Sequence, residues 1–285
     1  MKKVQIIAIS YDSGHRSVRM GKGPNHLLEH GLDDRLRAEG HDVRVQYIEA
    51  ESAFPLEVGT SYELYRSLAD CVRVACEAGR FPLVLAGNCG SVLGTTAGVG
   101  PARLGVIWLD AHGDFNTPDT TASGFLDGMA LATATGRCWS ALAETISGFS
   151  PIPDANVIHL GVRDLDPAEK TLLDNSDIRV LSEEHIKRAG VAQVLEPALA
   201  AWRGRVDRVY IHLDLDVLGP EEATANQYAV PGGLTVSQVE EAISLVGSHF
   251  PICAAAITAY DPLCDPDNRV PGAAIRFAGR LLQSE

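Results

Sequence analysis

The chain has 285 residues, of which 46% are hydrophobic and 21% charged, with a formal net charge of −13. This composition excludes a disordered, collagen-like or coiled-coil chain, and no apolar run approaches the ~18–20 residues of a membrane helix. The negative charge repels phosphate backbones, so nucleic acid is not an expected partner. We expect one globular domain over residues 1–285, in the cytoplasm and away from membranes, with its cysteines as free thiols.

Strand and helix patterns alternate along the chain, without an internal repeat or a linker. Strands are predicted at 4–10, 43–48, 82–86, 104–109, 156–161, 178–181, 207–213 and 254–259. Helices are predicted at 24–38, at 61–78 ending at Gly79, from 167 to about 174, at 236–246 closed by Gly247, and at about 272–282. Three pairs have the spacing of capping boxes: Thr60 with Glu63, Asp166 with Glu169, and Thr235 with Gln238. This alternation predicts an α/β fold with a mainly parallel sheet of about eight strands and helices on both faces.

Acidic clusters follow two predicted strands, at the sheet edge where ligands bind in such folds. Asp110, His112 and Asp114 alternate after the fourth strand, and Asp214 and Asp216 alternate after the seventh. Alternate residues of extended backbone point to one side, so neighbouring strands would bring four carboxylates and an imidazole together. Like charges this close cannot all stay ionised without a positive group between them. Protonation of two carboxylates is one remedy and a metal ion is the stronger one, in which case a divalent pair fits, typically Mn, with Zn or Fe as alternatives. The competing interpretation is a set of acids that cap helices or face water.

A glycine-rich turn, Gly87 to Ser91, follows the third predicted strand and opens a helix. It would place Cys89 at the same sheet edge, where a thiolate is a competent metal ligand. A buried, inert thiol at a tight turn explains the same residues, and both interpretations stay open.

These segments together resemble the ureohydrolase family, which includes arginase, agmatinase and formimidoylglutamase. The family's DAHxDxN motif stands at Asp110 to Asn116, and its second DxD motif at Asp214 and Asp216. Two further segments, Gly161 to Pro167 and Pro231 to Thr235, look more like arginase than agmatinase. The resemblance covers nearly the whole chain. It implies a three-layer α/β/α arginase-like fold with a central eight-stranded sheet, a homo-oligomer and a binuclear site with two Mn per chain.

The resemblance also implies roles for individual residues. One ion would be held by Cys89, Asp110, Asp114 and Asp214, and the other by Asp110, His112, Asp214 and Asp216. A hydroxide bridging the metals would attack the planar carbon of a guanidine or amidine and release an amine with urea or a urea-like product. Asp114 and Asp127 would serve catalysis, and Asn116, Ser123, Asp166 and Tyr228 would bind the substrate.

The chain departs from the family at four positions of the site. Cys89 replaces a metal-binding His, as in relatives that act on N-hydroxyarginine, and Tyr228 replaces a Thr near the guanidinium. Ala259 replaces the Glu that grips the guanidinium, a charged hydrogen bond whose loss weakens cation binding. Asp127 replaces a His proposed to shuttle protons. It is either a proton donor with a raised pKa or the cap of a helix beginning at Gly128.

We therefore predict a binuclear metal-dependent hydrolase of C–N bonds other than peptide bonds, acting on a small linear amidine or guanidine. The lost Glu favours a modified arginine or a related amino-acid amidine over arginine itself. The alternative is an inactive ureohydrolase-like protein that binds a small molecule or a partner subunit. Two other residues receive minor assignments: Arg163 to the pocket rim and His212 to the strand core.

Overall fold

A parallel sheet of eight strands organises the molecule. The computed structural model describes residues 1–52, 54–100 and 102–283. The strands are β1 (Lys3–Ile9), β2 (Asp42–Tyr47), β3 (Phe81–Ala86), β4 (Leu104–Leu109), β5 (Val157–Leu160), β6 (Arg179–Leu181), β7 (Arg208–Asp214) and β8 (Ile252–Thr258). All eight predicted strands are confirmed, and every pairing in this sheet is parallel. A small antiparallel hairpin, in which Tyr11–Asp12 pairs with His15–Arg16, was not predicted.

Helices cover both faces of the sheet. They are α1 (Gly23–Glu29), α2 (Leu32–Ala38), α3 (Glu57–Glu77), α4 (Ser91–Val99), α5 (Ala130–Ala134), α6 (Ser140–Ala143), α7 (Pro167–Asp174), α8 (Glu183–Ala189), α9 (Val191–Ala200), α10 (Val236–His249) and α11 (Arg269–Gln283). None of the helices in the described part of the chain is long and apolar enough to cross a membrane.

Two of the three predicted capping boxes are present. Both side chains of the Asp166–Glu169 pair and of the Thr235–Gln238 pair make the reciprocal bonds that cap α7 and α10. The helix α10 runs past Gly247 to His249, three residues beyond the predicted last residue at 246.

The third capping box and one helix prediction are wrong. The Thr60 hydroxyl accepts a hydrogen bond from Leu56 N at 3.0 Å, and α3 already begins at Glu57. The Glu63 carboxylate instead accepts from the backbone of the preceding loop. The single helix predicted at 24–38 is two helices, because Gly31 between them has a left-handed φ of +83°.

The alternation of side chains in the strands divides the core into two layers. Ile6, Leu85 and Leu213 belong to the layer that packs against α1, α2, α9, α10 and α11. Val84 and Trp108 belong to the opposite layer, which packs against α3, α4 and α5. The fold is therefore the expected three-layer α/β/α arrangement.

The order of the strands across the sheet brings the predicted site residues together. It is β2-β1-β3-β8-β7-β4-β5-β6, so β7 and β8 lie between β3 and β4. The register pairs Leu109 with Leu213 and Asp214 with Thr258. Because all strands run in one direction, the residues that follow β3, β4, β7 and β8 meet at one edge.

Helix α4 begins directly after the Cys89 turn and is buried along its whole length. Its two internal glycines let it lie close to α3. A Cβ atom at Gly94 would stand 2.5 Å from the carbonyl oxygen of Tyr65, and one at Gly98 would stand 2.5 Å from that of Ala69. The missing side chains therefore set the separation of the two helices, and with it the position of the turn.

We expect Gly98→Ala to lower the free energy of unfolding by ~1–3 kcal/mol, because the new methyl group overpacks the helix contact. The matched control is Gly272→Ala in α11, where an added Cβ has no neighbour within 4 Å. This control is expected to raise the free energy of unfolding by about 1 kcal/mol through helix propensity. Denaturant unfolding of both variants measures the difference. Equal stability of the two variants would contradict the close packing of α3 on α4.

Candidate metal centre

Two groups of potential metal ligands lie at the carboxyl ends of β4 and β7. Cys89, Asp110 and Asp214 form one group, and Asp110, His112 and Asp216 form the other. Within each group the ligand atoms lie within 4.8 Å of one another. Asp110 belongs to both groups, so the structure brings five of the six predicted ligands together around one shared carboxylate. All five are buried except His112, which is partly exposed.

Asp114 lies in the same cavity but in neither ligand group. The prediction relied on extended backbone after β4, whereas Asp114 has a left-handed φ of +48°. Its carbonyl oxygen accepts hydrogen bonds from Leu131 N and Ala132 N at 2.9 and 3.1 Å, which fixes the turn. Asp114 therefore reaches the cavity because the loop after β4 folds back, and not because it shares a face with Asp110 on an extended strand.

The position of Cys89 is compatible with both interpretations of its sequence. The side chain is 2% exposed, so it is a buried thiol. Its sulfur also lies among the ligands: Sγ donates a hydrogen bond to Asp214 Oδ2 at 3.0 Å and lies 3.3 Å from Thr258 Oγ1. The sulfur and the Asp214 carboxylate are therefore close enough for both to hold one cation.

Burial and mutual repulsion shift the pKa values of the clustered side chains. Burial, with the charge of Asp216 added, raises the pKa of Asp110 to about 6. Burial likewise raises the pKa of Asp114, of Asp214 and of the Cys89 thiol. For His112, burial alone would lower the pKa, but Asp216 and Asp110 outweigh it and raise the pKa.

The protein alone thus neutralises its buried carboxylates with protons and one imidazolium. His112 Nδ1 lies 3.5 Å from Asp110 Oδ1 and 3.4 Å from Asp216 Oδ2. Carboxylate oxygens, an imidazole and a thiol are ligands of divalent metals, which displace such protons. The donor set therefore fits a metal pair.

Further side chains that were not predicted orient these ligands. Trp108 Nε1 donates to Asp110 Oδ2 at 3.0 Å, and Asn226 Nδ2 donates to Asp216 Oδ2 at 3.1 Å. Asn226 also donates to the carbonyl oxygen of Ala259 at 2.9 Å, which links the ligand to the end of β8. Hydrogen-bonding partners of this kind fix the orientation of metal ligands. Neither Trp108 nor Asn226 carries a local motif that would have identified it.

Four of the five ligands, Cys89, His112, Asp214 and Asp216, line a cavity of about 160 Å³, and we call them its floor. We call the lining residues Asn116, Asp164, Asp166 and Glu169 the polar side, and Met20, Phe125, Tyr228 and Ala259 the apolar wall. No lysine or arginine is among the lining residues in the described part of the chain. Such a cavity admits a small molecule and favours a cation or a neutral polar group.

The predicted substrate residues divide between the cavity and its surroundings. Asn116, Asp166 and Tyr228 line the cavity, and the Tyr228 ring stacks on Phe125 at 5.4 Å between ring centroids. Ser123 is exposed and is not among the lining residues. Its hydroxyl accepts from Phe125 N at 3.2 Å, so in this structure it acts as a turn residue.

Three other residues have roles that the structure makes specific. Asp127 is buried in the cavity lining, and burial raises its pKa to about 7. Arg163 does not line the cavity and donates to five backbone carbonyls between residues 216 and 231. His212 is buried, as expected, and stacks on Trp108 with 3.8 Å between ring centroids.

We expect the metal-free protein to lose stability as the pH rises from about 4 to about 7. The pKa of Asp110 rises from 3.8 to about 6 and that of Asp127 from 3.8 to about 7, so the folded state holds these protons more tightly. Their stabilising contribution is complete below the unfolded pKa and lost as the pH rises through the folded pKa. Mn²⁺ competes with the same protons, so its stabilisation should grow over this window.

Calorimetric melting at about pH 5 and pH 8, with and without Mn²⁺, tests this expectation. At a free metal concentration ~100 times Kd, the free energy of unfolding rises by about 2.7 kcal/mol. A Mn²⁺-induced rise in Tm that is larger at pH 5 than at pH 8 would contradict the expected competition between metal and protons. EDTA-treated protein serves as the metal-free control.

Comparison with known proteins agrees with this geometry. The model of the arginase family matches residues 2–283. An arginase from Bacillus caldovelox is 34% identical, with 99% of this chain and 98% of the relative covered. The native structure of that arginase has a TM-score of 0.90 at 33% identity, covering 100% of this chain and 99% of the other. An arginase structure from Bacillus cereus has a TM-score of 0.90 at 32% identity over the same shares. The chain therefore belongs to the arginase family.

Proposed function

We propose that the chain is a metal-dependent hydrolase that cleaves a C–N bond in a small linear amidine or guanidine. The observation that carries this proposal is the pair of ligand groups around Asp110, buried at the floor of a small cavity. Membership of the arginase family supports the same chemistry, since the matched relatives are named arginases.

We further propose that the resident metal is a pair of Mn ions, with Zn or Fe as alternatives for a site that includes a thiolate. Two divalent ions at such ligands would supply a nucleophile by lowering the pKa of a water molecule from ~15.7 to ~7. Cys89 and Asp214 would hold one ion, His112 and Asp216 the other, and Asp110 both.

The residues of the chain would then bind and orient the substrate. Asp114 lines the cavity outside both ligand groups, and burial raises its pKa. We propose that it serves catalysis by holding the proton that the leaving amine takes up. The remaining ligands would stay fixed through the bonds from Trp108 and Asn226.

The apolar wall of the cavity argues for a substrate other than unmodified arginine. Ala259 is 3% exposed and lines this wall beside Met20, Phe125 and Tyr228. Asp261, the nearest carboxylate along the chain, does not line the cavity and accepts instead from Leu263 N at 3.0 Å. With no acid on this wall, a hydroxylated, substituted or uncharged amidine fits better than a bare guanidinium.

The polar side of the cavity is suited to an amino-acid tail. Asn116 Nδ2 donates to Asp166 Oδ2 at 3.1 Å, so the two side chains present an amide and a carboxylate next to each other. An amide can donate to an α-carboxylate and a carboxylate can accept from an α-ammonium group. Asp166 also caps α7, and one carboxylate serves both functions.

Cell compartment and assembly stay predictions. All six cysteines are free thiols, which supports a reducing, cytoplasmic setting. The homo-oligomer is supported only by the family resemblance.

We expect metal-loaded protein to release urea, hydroxyurea, amine or ammonia from at least one member of a panel of amidines. The panel comprises arginine, N-hydroxyarginine, N-methylarginine, agmatine and an uncharged acyl amidine. Asp214→Asn should lower kcat/KM more than ~100-fold, because loss of a ligand should exceed the ~10–100-fold effect of losing an outer hydrogen bond. The control is Asp174→Asn, which changes an exposed carboxylate on α7.

Two outcomes would contradict the proposal. Full metal occupancy without turnover of any panel member would favour the inactive, small-molecule-binding alternative. Turnover that survives both chelation and Asp214→Asn would exclude the metal site as the reaction centre.

The apolar wall yields a separate prediction about specificity. Ala259→Glu places a carboxylate on this wall, and hydrogen bonds to charged groups contribute ~1.5–3 kcal/mol. The ratio of kcat/KM for arginine to that for an uncharged amidine should therefore rise ~10–100-fold. Ala259→Gln, of equal size and without charge, is the matched control. An equal change in both variants would show that side-chain volume, and not charge, sets the preference.

A further inference from the structure

Asp127 lies directly behind the turn that carries Cys89. Its Oδ2 accepts a hydrogen bond from Asn88 Nδ2 at 2.9 Å, and its Oδ1 accepts from Gly90 N at 2.9 Å. One carboxylate thus holds the residue before Cys89 and the residue after it. The Asp127 carboxylate therefore does not cap a helix that begins at Gly128, which was one of its two predicted roles. It accepts a hydrogen bond from the backbone just before α4 instead.

We infer that Asp127 is a positioning residue, which fixes Cys89 as a metal ligand, and that it is not the proton donor of the reaction. This inference rests on the metal site of the proposed function. Both oxygens of the carboxylate accept N–H hydrogen bonds, and such bonds favour the ionised carboxylate over the protonated acid that a proton donor would need.

Asn88 is held from its other side as well. Its Oδ1 accepts from Ser13 N at 2.9 Å, and its Nδ2 lies 3.4 Å from Asp12 Oδ1. Asp12 is completely buried and accepts from Arg19 Nε at 2.9 Å and from Arg19 Nη2 at 3.2 Å. The orientation of Asn88 is therefore fixed by two separate segments of the chain, residues 12–13 and Asp127.

The segment that braces Asn88 is itself held in an uncommon conformation. Ser13, Ser17 and Arg19 have φ values of +49°, +53° and +42°, in the left-handed region that non-glycine residues seldom adopt. Such conformations persist where surrounding bonds over-determine them. Met20, in the same segment, lines the apolar wall of the cavity. The bonds of Asp127 and Asp12 thus connect this wall to the Cys89 turn.

The Cys89 turn has little freedom on its remaining side. A Cβ atom at Gly90 would stand 2.0 Å from the Tyr65 hydroxyl oxygen, so the backbone there is pressed against α3. The negative charge of Asp127 opposes ionisation of Cys89 and contributes to its raised pKa. The contribution of Asp127 to a thiolate ligand is therefore geometric, since its charge acts in the opposite direction.

Co²⁺ titration tests the inference without any substrate. Thiolate bound to Co²⁺ gives a charge-transfer absorption band in the near ultraviolet, and Cys89→Ser identifies the part of that band due to Cys89. We expect Asp127→Ala to weaken Co²⁺ affinity ~10–100-fold and to diminish the band, as loss of an outer partner does at other metal sites. Asn88→Ala, which keeps the bond to Gly90 N, should produce the same change at a smaller magnitude. Asp119→Ala, a change in an exposed carboxylate of the neighbouring loop, should leave both affinity and band unchanged.

Circular dichroism and thermal melting confirm that each variant is folded, and Asn88→Ala decides the question if Asp127→Ala does not fold. The inference is overturned if Asp127→Ala keeps the affinity and the band while kcat falls and its pH profile loses one ionisation. It is also overturned if the unmodified protein has no Cys89-dependent band. If the band behaves as expected while no amidine is hydrolysed, the proposed function fails and the positioning role stands.

Discussion

Four buried carboxylates at the ends of two neighbouring strands impose the strongest physical constraint on this molecule. Removing an ionised carboxylate from water is costly unless it gains hydrogen bonds and an opposite charge. The chain supplies the hydrogen bonds through the indole of Trp108, the amide of Asn226 and the backbone N–H groups of its loops. Among the described residues, His112 is the one cationic side chain that forms ion pairs with these carboxylates, which leaves the cluster with room for metal ions.

The surrounding fold can be understood as a support for that cluster. Parallel strands bring loops from distant parts of the sequence to one edge of the sheet. The glycines of α4 let this helix pack closely on α3, which sets the position of the Cys89 turn at that edge. The cavity lining also carries the carboxylates of Asp164, Asp166 and Glu169, whereas Met20, Phe125, Tyr228 and Ala259 contribute none. Charge is thus distributed unevenly around the cavity.

Much of this arrangement follows from patterns that are local in sequence. Apolar runs identified all eight strands, the acidic motifs identified four residues of the ligand groups, and the glycine-rich turn identified the fifth, Cys89. The sequence argument assumed that β4 and β7 are neighbours, and the order of the strands shows that they are. Thr60 and Glu63 have the spacing of a capping box, yet both bind backbone groups upstream of the predicted start. Local spacing cannot distinguish these two sets of partners.

What sequence could not provide are the roles that depend on distant partners. Asn88 and Asp127 are 39 positions apart, and Asn88 and Asp12 are 76 positions apart. Each is an ordinary polar residue of a turn until the fold places them together. Ser123 shows the reverse case, since its match to a family position did not bring it into the cavity.

The order of the strands also bears on how the protein is made. The two strands at the middle of the sheet, β7 and β8, are the last to leave the ribosome. Until they emerge, β3 and β4 have unpaired edges facing one another, and unpaired edges invite aggregation. The carboxylate that follows β4 likewise has no counterpart from β7. The nascent chain therefore carries an incomplete sheet until β7 and β8 emerge, and the two ligand groups come together only when the sheet closes.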